Sequence, residues 1–246
     1  MTAAEAGLFP VLPQAHVYPR LRAYTRITLN RYVARPYRVR FAREADVPAL
    51  VQLQRACWEQ EGMRATEQDL LHRIRTYPRG QLVLEQELPE TQQQQQQQQP
   101  QFALVGAVYS QRIQGERALM NVSYEHIHSL HCDSHRVVQL LGLNVFPEQR
   151  RLGYGRTLLN FFLYVTSLDP FTDRVLGVTR CGEYAKARAR HAGPANLVQY
   201  VAQTHADSGL PVDPILRFHV SNGARLLRVL PKYRPADTDN HGHGVL

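Results

Sequence analysis

The sequence has few cysteines, few lysines and no long apolar run, and each shortage excludes a class of protein. The three cysteines, Cys57, Cys132 and Cys181, are an odd number without C-x-x-C spacing, so they predict neither a disulfide framework nor a cysteine-based zinc site. No apolar run approaches the roughly 18 residues that a membrane-spanning helix needs, and Met1 to Pro13 lacks the pattern of a signal peptide. We therefore expect a cytoplasmic protein that makes no contact with a membrane.

Arginine carries almost all of the positive charge. Only two of the 29 basic residues are lysines, Lys186 and Lys232, and the net charge is +8 at pH 7. A basic excess favours a polyanionic partner. No aromatic-basic stacking pattern, zinc finger or RNP-like motif accompanies the charge, so we expect a phosphate-bearing small molecule and no nucleic acid.

Strand-like and helix-like patterns alternate from residue 36 to the end, which predicts one mixed α/β domain. Residues 1–35 show no sustained period and are predicted to be an irregular leader. The predicted strands are 37–41, 81–85, 102–109, 137–145, 174–179 and 226–230, and the predicted helices are 49–58, 66–75, 153–168, 183–206 with a break at Gly193-Pro194, and 213–221.

An uninterrupted polyglutamine tract occupies residues 92–99, between two predicted strands. It is predicted to be a low-complexity hairpin insertion. A tract without apolar residues cannot form part of a packed site, so we expect no role for it in function.

The most specific stretch runs from Asn144 to Arg156, from an apolar strand through a basic, glycine-bearing turn into an amphipathic helix. Amides at a helix N-terminus bind phosphate oxygens, and Gly153 and Gly155 let the backbone approach a pyrophosphate closely. This context predicts a pyrophosphate site.

With the pattern Arg150-x-x-Gly153-x-Gly155, the chain resembles the GNAT superfamily of N-acetyltransferases. The resemblance covers the element order from Tyr37 to Leu230 and implies a GNAT fold, a mixed central sheet flanked by helices in which the fourth and fifth strands, here 137–145 and 174–179, splay apart. It implies that the turn binds the pyrophosphate of coenzyme A and that the pantetheine arm lies at the splay. The implied cofactor-binding residues are Leu143, Asn144, Val145, Arg150, Arg151, Leu152, Gly153, Tyr154, Gly155 and Arg156.

A second motif narrows the resemblance. His219 stands where GNAT acetyltransferases usually carry a tyrosine that protonates the departing thiolate. With Val178-Thr179-Arg180-Cys181 and the tail 233–246, this makes the chain similar to the GNAT-like domains of polyketide synthase loading modules. Those domains are associated with decarboxylating malonyl or methylmalonyl thioesters and with moving the acyl starter onto an acyl carrier protein.

That resemblance implies roles for three side chains. The functional histidine and threonine of those domains fall on His219 and Thr179, and an arginine of the tail falls on Arg234. We expect His219 to protonate the enolate that loss of carbon dioxide leaves, and Thr179 to orient the carboxylate or hold a water. Arg234 is expected to bind the carboxylate. Trp58, on the first predicted helix, is a candidate for the wall of the acyl pocket, and the alternative is a core aromatic. Backbone amides near residues 144–145 are expected to meet the developing oxyanion.

Other interpretations stay open from the sequence. The chain could be an acetyl-CoA-dependent N-acyltransferase with His219 or a water as base, or a noncatalytic acyl-CoA-binding module. The end of the chain resembles an interrupted final strand, so we expect a piece of a larger protein. Because no Asp-Ser-Leu carrier motif occurs, the carrier protein would be supplied by another domain or chain.

A cluster of histidines and one cysteine between residues 126 and 135 has metal-ligating side chains. Its members are His126, His128, His131, Cys132 and His135, and a helix here would put His131 and His135 on one face. No matching ligand pair occurs elsewhere in the sequence, so we expect a solvated loop and no metal.

Overall fold

The computed structural model describes residues 21–23, 37–88, 101–190 and 193–246. Elements follow one another in the order that the sequence predicts. The strands are β1 (Leu21–Ala23), β2 (Tyr37–Phe41), β3 (Leu82–Glu87), β4 (Phe102–Ile113), β5 (Val137–Val145), β6 (Arg174–Gly177), β7 (Val229–Leu230) and β8 (Gly244–Val245). The helices are α1 (Val47–Cys57), α2 (Glu67–Thr76), α3 (Tyr154–Ser167), α4 (Tyr184–Arg188), α5 (Leu197–Val201) and α6 (Pro214–Val220).

Strands β1 to β6 form one sheet in sequence order, which confirms the predicted mixed sheet. The pairs β1–β2, β2–β3 and β3–β4 are antiparallel, whereas β5 and β6 are parallel. Strands β7 and β8 form a separate antiparallel pair. No described helix is long and apolar enough to cross a membrane.

By its contacts the chain divides into two compact units, each with a core of its own. The first unit comprises residues 1–57, 65–111 and 142–173, and the second comprises 58–64, 112–141 and 174–246. The strands β4 and β5 have residues in both units. The predicted division into a leader and one domain from residue 36 stays a prediction.

The core of the first unit forms where helices pack on each other and on the sheet. Helix α1 packs against α2, and α3 packs against β3. The α2 helix begins with the predicted capping box, because the Thr66 hydroxyl accepts from the Asp69 amide at 3.1 Å and the Asp69 carboxylate accepts from the Thr66 amide at 2.8 Å. The side chains with no exposed surface include Leu50, Leu53, Leu70, Leu84 and Leu158.

The core of the second unit brings together residues far apart in sequence. Its buried members are Cys181, Tyr184, Leu197, Tyr200, Leu216 and Val245. They come from the segment after β6, from α4, α5 and α6, and from β8. Burying this many side chains supplies the apolar contact that helices as short as these need.

Several predicted boundaries are wrong. The strand predicted over 174–179 ends at Gly177, the helix predicted over 183–206 is reduced to α4 and α5, and the strand predicted over 226–230 is only β7. The leader predicted to be irregular includes β1, which pairs with β2. The polyglutamine tract 92–99 lies outside the described residues, as does most of the leader.

Candidate active site

The predicted pyrophosphate turn lies in the first unit, between β5 and α3. A short 3-10 turn over Pro147–Gln149 follows the strand, and α3 then begins at Tyr154. Arg151 and Gly153 both adopt left-handed backbone conformations, with φ of 69° and 84°. The first turn of α3 holds no acidic residue, and its N-cap Gly153 offers no capping side chain. No side chain therefore caps the N-terminus of α3, and amides at a helix N-terminus are groups that anions bind.

The predicted cofactor residues of β5 stand directly before this turn. Leu143 is half-buried, while Asn144 and Val145 are buried. The carbonyl of Val145 accepts hydrogen bonds from Arg150 Nε and from the Cys57 thiol, both at 3.3 Å. Burial raises the pKa of Cys57, so this thiol stays protonated at neutral pH. These contacts fix the end of β5 to the turn and to α1.

Gly106 on β4 is a residue of this region that the sequence analysis did not single out. A Cβ at this position would lie 2.7 Å from the Asn144 carbonyl oxygen and 3.1 Å from the Val145 side chain. Only glycine therefore permits this close approach of β4 to the end of β5. The sequence signal for this close approach was a single glycine inside an apolar strand.

Strand β6 pairs with only the first part of β5, and the predicted splay beyond it stays a prediction. The parallel register runs from Val137 opposite Arg174 to Leu140 opposite Gly177. Two residues later the chain has a different partner, because Thr179 forms an antiparallel bridge with Val245. Its amide donates to the Val245 carbonyl at 2.8 Å, and the Val245 amide donates back at 2.7 Å.

The Thr179 side chain remains available to a ligand. It is half-buried, and its hydroxyl makes only a long contact of 3.4 Å to the Arg180 carbonyl. Because this carbonyl belongs to the next residue, the contact constrains the hydroxyl little.

His219 lies in the last turn of α6. The helix is N-capped by Asp213, whose carboxylate accepts from the amides of Ile215 and Leu216 at 2.9 and 3.1 Å. Within the described part of the chain, the ring nitrogens of His219 make no hydrogen bond. Burial lowers the pKa of His219 below its usual value of 6.5, which favours the neutral imidazole.

Asp213 also ties α6 to the segment that follows Thr179. Its side chain is buried, and it accepts further hydrogen bonds from the amides of Gly182 and Glu183 at 2.8 and 3.0 Å and from the Tyr200 hydroxyl at 3.1 Å. This second set of bonds holds the helix that carries His219 to the strand segment that carries Thr179. Cys181 and Leu216 pack in the same core.

Trp58 and Arg234 are brought together by the fold. The Arg234 guanidinium carbon lies 5.3 Å from the centre of the Trp58 ring and 3.8 Å from that of Tyr124. Arg234 is only 9% exposed, and no carboxylate within the described ranges pairs with it. A guanidinium that contacts aromatic rings and has no carboxylate partner can bind an external anion.

Arg180 and Tyr124 belong to this group of side chains, although the sequence analysis assigned neither a role. Arg180 lies 6.0 Å from the centre of the Trp58 ring and pairs with Asp237 and Asp239 at 3.1 and 2.8 Å. A signal for Arg180 existed, since it directly follows Thr179 in the motif. Nothing in the sequence brings Tyr124 to Arg234.

The histidine cluster does not form the helix face considered above. His131 ends a 3-10 helix over Tyr124–Leu130, and its Nδ1 accepts from the Arg112 amide at 3.3 Å. Among the residues that the structure describes, no group of three or more His, Cys, Asp or Glu side chains could hold a metal ion. Cys181 is buried, and this burial raises its pKa far above the usual value, so it is not an activated nucleophile.

Two solved structures are similar to this chain over most of their lengths. The loading GNATL domain of CurA from Lyngbya majuscula is 34% identical with a TM-score of 0.73, and the match covers 85% of this chain and 94% of that chain. The GphF GNAT-like decarboxylase in complex with isobutyryl-CoA is 40% identical with a TM-score of 0.70, and the match covers 84% of this chain and 95% of that chain.

One further solved structure is similar to this chain only in its fold. Ard1 from Thermoplasma volcanium is 13% identical with a TM-score of 0.51, over 85% of this chain and 93% of that chain, a likeness of fold alone. No protein-family model and no curated protein matches. The identities of 34% and 40% nevertheless extend over both units described above. The chain therefore belongs to the GNAT superfamily, and within it to the GNAT-like domains that resemble those of polyketide synthase loading modules.

Proposed function

We propose that this chain is an acyl-thioester decarboxylase that converts a malonyl or methylmalonyl thioester into an acyl starter unit for polyketide biosynthesis. The observation that carries the proposal is Arg234, a buried cation with aromatic rings on its faces and no carboxylate partner in the described chain. Support also comes from the 40% identical GNAT-like decarboxylase, which holds the acyl thioester isobutyryl-CoA.

Arg234 would bind the free carboxylate of the substrate. A guanidinium matches a carboxylate with two parallel N–H donors, and this charge-assisted pair is stronger where water is scarce. The rings of Trp58 and Tyr124 lie 5.3 and 3.8 Å from the guanidinium carbon. Their apolar surface would also favour the step in which the carboxylate becomes neutral carbon dioxide.

The reaction then proceeds by breaking one carbon–carbon bond. The electron pair of the bond to the carboxylate moves into the thioester carbonyl, which gives carbon dioxide and an enolate. The enolate carbon takes one proton and becomes the new methyl or methylene group. One proton is consumed for each carbon dioxide released, and the thioester carbonyl accepts the electrons without a metal ion.

His219 is the proposed proton donor to the enolate carbon. Its ring nitrogens have no partner within the described residues, so either can point at a substrate. Burial lowers its pKa, so the donor must be protonated from solvent before each turnover. A bound malonyl carboxylate opposes that effect, because a nearby anion raises the pKa of an imidazole.

Thr179 is proposed to orient the carboxylate or an ordered water. Its hydroxyl has one weak contact, whereas its backbone is held at both N–H and C=O by Val245. A fixed backbone with a free hydroxyl suits a positioning contact better than a proton transfer, because the hydroxyl pKa is far from neutral.

The coenzyme A part of the substrate is proposed to bind the turn of the first unit. Exposed guanidinium groups, left-handed backbone and uncapped amides of α3 support a pyrophosphate at Arg150 to Arg156. The same turn would serve the phosphate of a phosphopantetheine arm, so an acyl carrier protein is the proposed donor or acceptor of the acyl group. Transfer of the product from coenzyme A to that carrier would be a second activity.

One set of incubations tests the proposal. Purified protein is given malonyl-CoA, methylmalonyl-CoA or their carrier-bound forms, and carbon dioxide release and product masses are measured. We expect loss of carbon dioxide from at least one of these thioesters and, in deuterated water, deuterium in the new methyl or methylene group. If none releases carbon dioxide while acetyl-CoA acetylates an amine, the protein is an N-acyltransferase and the proposal is wrong.

A further inference from the structure

A buried aspartate, Asp237, connects the backbone of Arg234 to the segment that carries Thr179. The Asp237 side chain has no exposed surface and pairs with Arg180 at 3.1 Å. Its amide donates to the Arg234 carbonyl at 2.8 Å, and its carbonyl accepts from the Gly242 amide at 2.7 Å. The Arg234 amide in turn donates to the Gly242 carbonyl at 2.8 Å, so the turn closes on itself around Asp237.

Asn240 makes the second connection between the same two segments. This fully buried side chain accepts from the Cys181 amide at 3.0 Å and donates to the Cys181 carbonyl at 3.1 Å. It also donates to the Asp237 carboxylate at 3.2 Å. The side chain therefore binds the backbone of Cys181 as a neighbouring strand would, and it joins that bond to the aspartate.

The carboxylates of this turn pair with only one of the two arginines near Trp58. Arg180 pairs with Asp237 and with Asp239, whereas Arg234 pairs with neither. Arg180 Nε is buried without a hydrogen-bond partner among the described residues, and of its two carboxylate partners only Asp237 is buried. The turn thus supplies carboxylate partners to Arg180 and none to Arg234.

We propose that Asp237, together with Arg180 and Asn240, is a positioning residue that holds Arg234 where it receives the substrate carboxylate. The inference rests on the proposed function, because it assigns to Arg234 the carboxylate of a malonyl-type thioester. Asp237 and Arg180 do not touch the substrate in this proposal. They act through the backbone of the turn and by keeping a carboxylate away from Arg234.

Asp239 supplies a matched control, since it pairs with the same arginine but its side chain is 54% exposed. Asp237→Asn removes the buried charge and keeps the shape, and Asp239→Asn removes an exposed one. Breaking a buried pair is far more costly than breaking an exposed pair. We expect Asp237→Asn to lower kcat/KM for malonyl-CoA about 10- to 100-fold and Asp239→Asn to change it less than about twofold.

Two further measurements separate positioning from a general structural role. The dissociation constant of acetyl-CoA, which has no free carboxylate, should stay unchanged in Asp237→Asn. In an Arg234→Ala background, Asp237→Asn should cause no further loss of kcat/KM, because the residue acts through Arg234. A loss that persists in that background overturns the proposal.

A substrate-free readout uses Trp58, the single tryptophan of the chain. Because Arg234 lies against its ring, we expect the Trp58 emission of Asp237→Asn to shift toward that of Arg234→Ala, and that of Asp239→Asn to match wild type. If wild type releases no carbon dioxide, the proposed function fails while this readout still decides the positioning. Emission of Asp237→Asn that is identical to wild type overturns the positioning itself.

Circular dichroism shows whether Asp237→Asn folds. If it does not, two Arg180 variants test the same ion pair from its other side. Arg180→Lys retains a charge that can reach Asp237, and Arg180→Met retains only apolar bulk. We expect a larger loss of kcat/KM in Arg180→Met than in Arg180→Lys. Equal effects of the two variants would show that the ion pair does not position Arg234.

Discussion

At the residue scale, His219 combines burial with unused hydrogen-bonding capacity. Its side chain is half-buried, and neither ring nitrogen makes a hydrogen bond within the described chain, so both nitrogens remain available to water or to a ligand. The Asp213 cap and the packing of Leu216 fix the helix that carries it. The backbone that carries the ring is therefore fixed by the fold.

Removing this imidazole should affect turnover far more than binding. His219→Ala should lower kcat for malonyl-CoA by a factor of about 10² to 10⁴, the usual cost of losing a proton donor. Thr179→Val should cost less, since it removes a positioning contact. The dissociation constant of coenzyme A, measured by calorimetry, should barely change in either. His205→Ala, at an exposed histidine of the same unit, is the control and should retain wild-type kcat. Equal losses in the two histidine variants would remove His219 from the mechanism.

The pH dependence should follow the protonated form of His219. Burial lowers its pKa below 6.5, so the protonated donor is lost as the pH rises through that lowered pKa. We therefore expect kcat/KM for malonyl-CoA to be highest in acid and to fall with rising pH, with a midpoint below 6.5. A profile of kcat/KM between pH 4.5 and 8.5 measures this. A rise of kcat/KM with pH over the same range would indicate that the neutral imidazole acts, as a hydrogen-bond donor or a base.

At the element scale, the turn between β5 and α3 derives its shape from two left-handed residues. Gly153 can adopt φ of 84° without strain, and a Cβ added there would meet no protein atom within 4 Å. The space above Gly153 is therefore open to a ligand. An added side chain would occupy that space.

Gly153→Val should weaken coenzyme A binding by tenfold or more, a loss of about 1.4 kcal/mol at least. Part of any change would come from backbone strain, so a matched control is needed. Gly209 also has a left-handed φ, 65°, and also has open space around its Cβ position. Gly209→Val should show a similar drop in melting temperature with unchanged affinity. Unchanged affinity in a folded Gly153→Val protein would contradict the assignment of the turn.

The sequence predicts best the elements whose boundaries are set by residues close together in the chain. The capping box of Thr66 and Asp69 marks the start of α2, and the apolar run 137–145 coincides with β5. The strand predicted to reach Thr179 stops earlier because Thr179 pairs with Val245, a residue far along the chain. Arg180 and Tyr124 were missed as site residues for the same reason, since their contacts with Trp58 and Arg234 exist only after folding.

At the scale of the whole molecule, the polyglutamine tract should be dispensable. The strands on either side, β3 and β4, pair with each other, and the Leu88 amide donates to the Gln101 carbonyl at 2.8 Å just outside the tract. Shortening a loop between ends that are already held together changes its closure entropy little.

Replacing residues 92–99 with a short Gly-Ser linker should leave kcat and KM for malonyl-CoA within about twofold of wild type. Circular dichroism and thermal melting of the same sample check that both proteins are folded. A large loss of turnover in a folded variant would show that the tract contacts substrate or a partner.

Because Thr179 pairs with Val245, its final position depends on a residue that is synthesised 66 residues later. The first unit draws on no residue beyond Asp173, whereas the second needs Arg174–Leu246. At a translation rate of about 5 to 20 residues per second, that stretch takes roughly 4 to 15 s to make. The residues of the proposed phosphate-binding turn are therefore made seconds before Val245, the residue that pairs with Thr179. Ribosome-bound chains halted at increasing lengths should acquire protease resistance in two steps, and decarboxylation should begin only with the second.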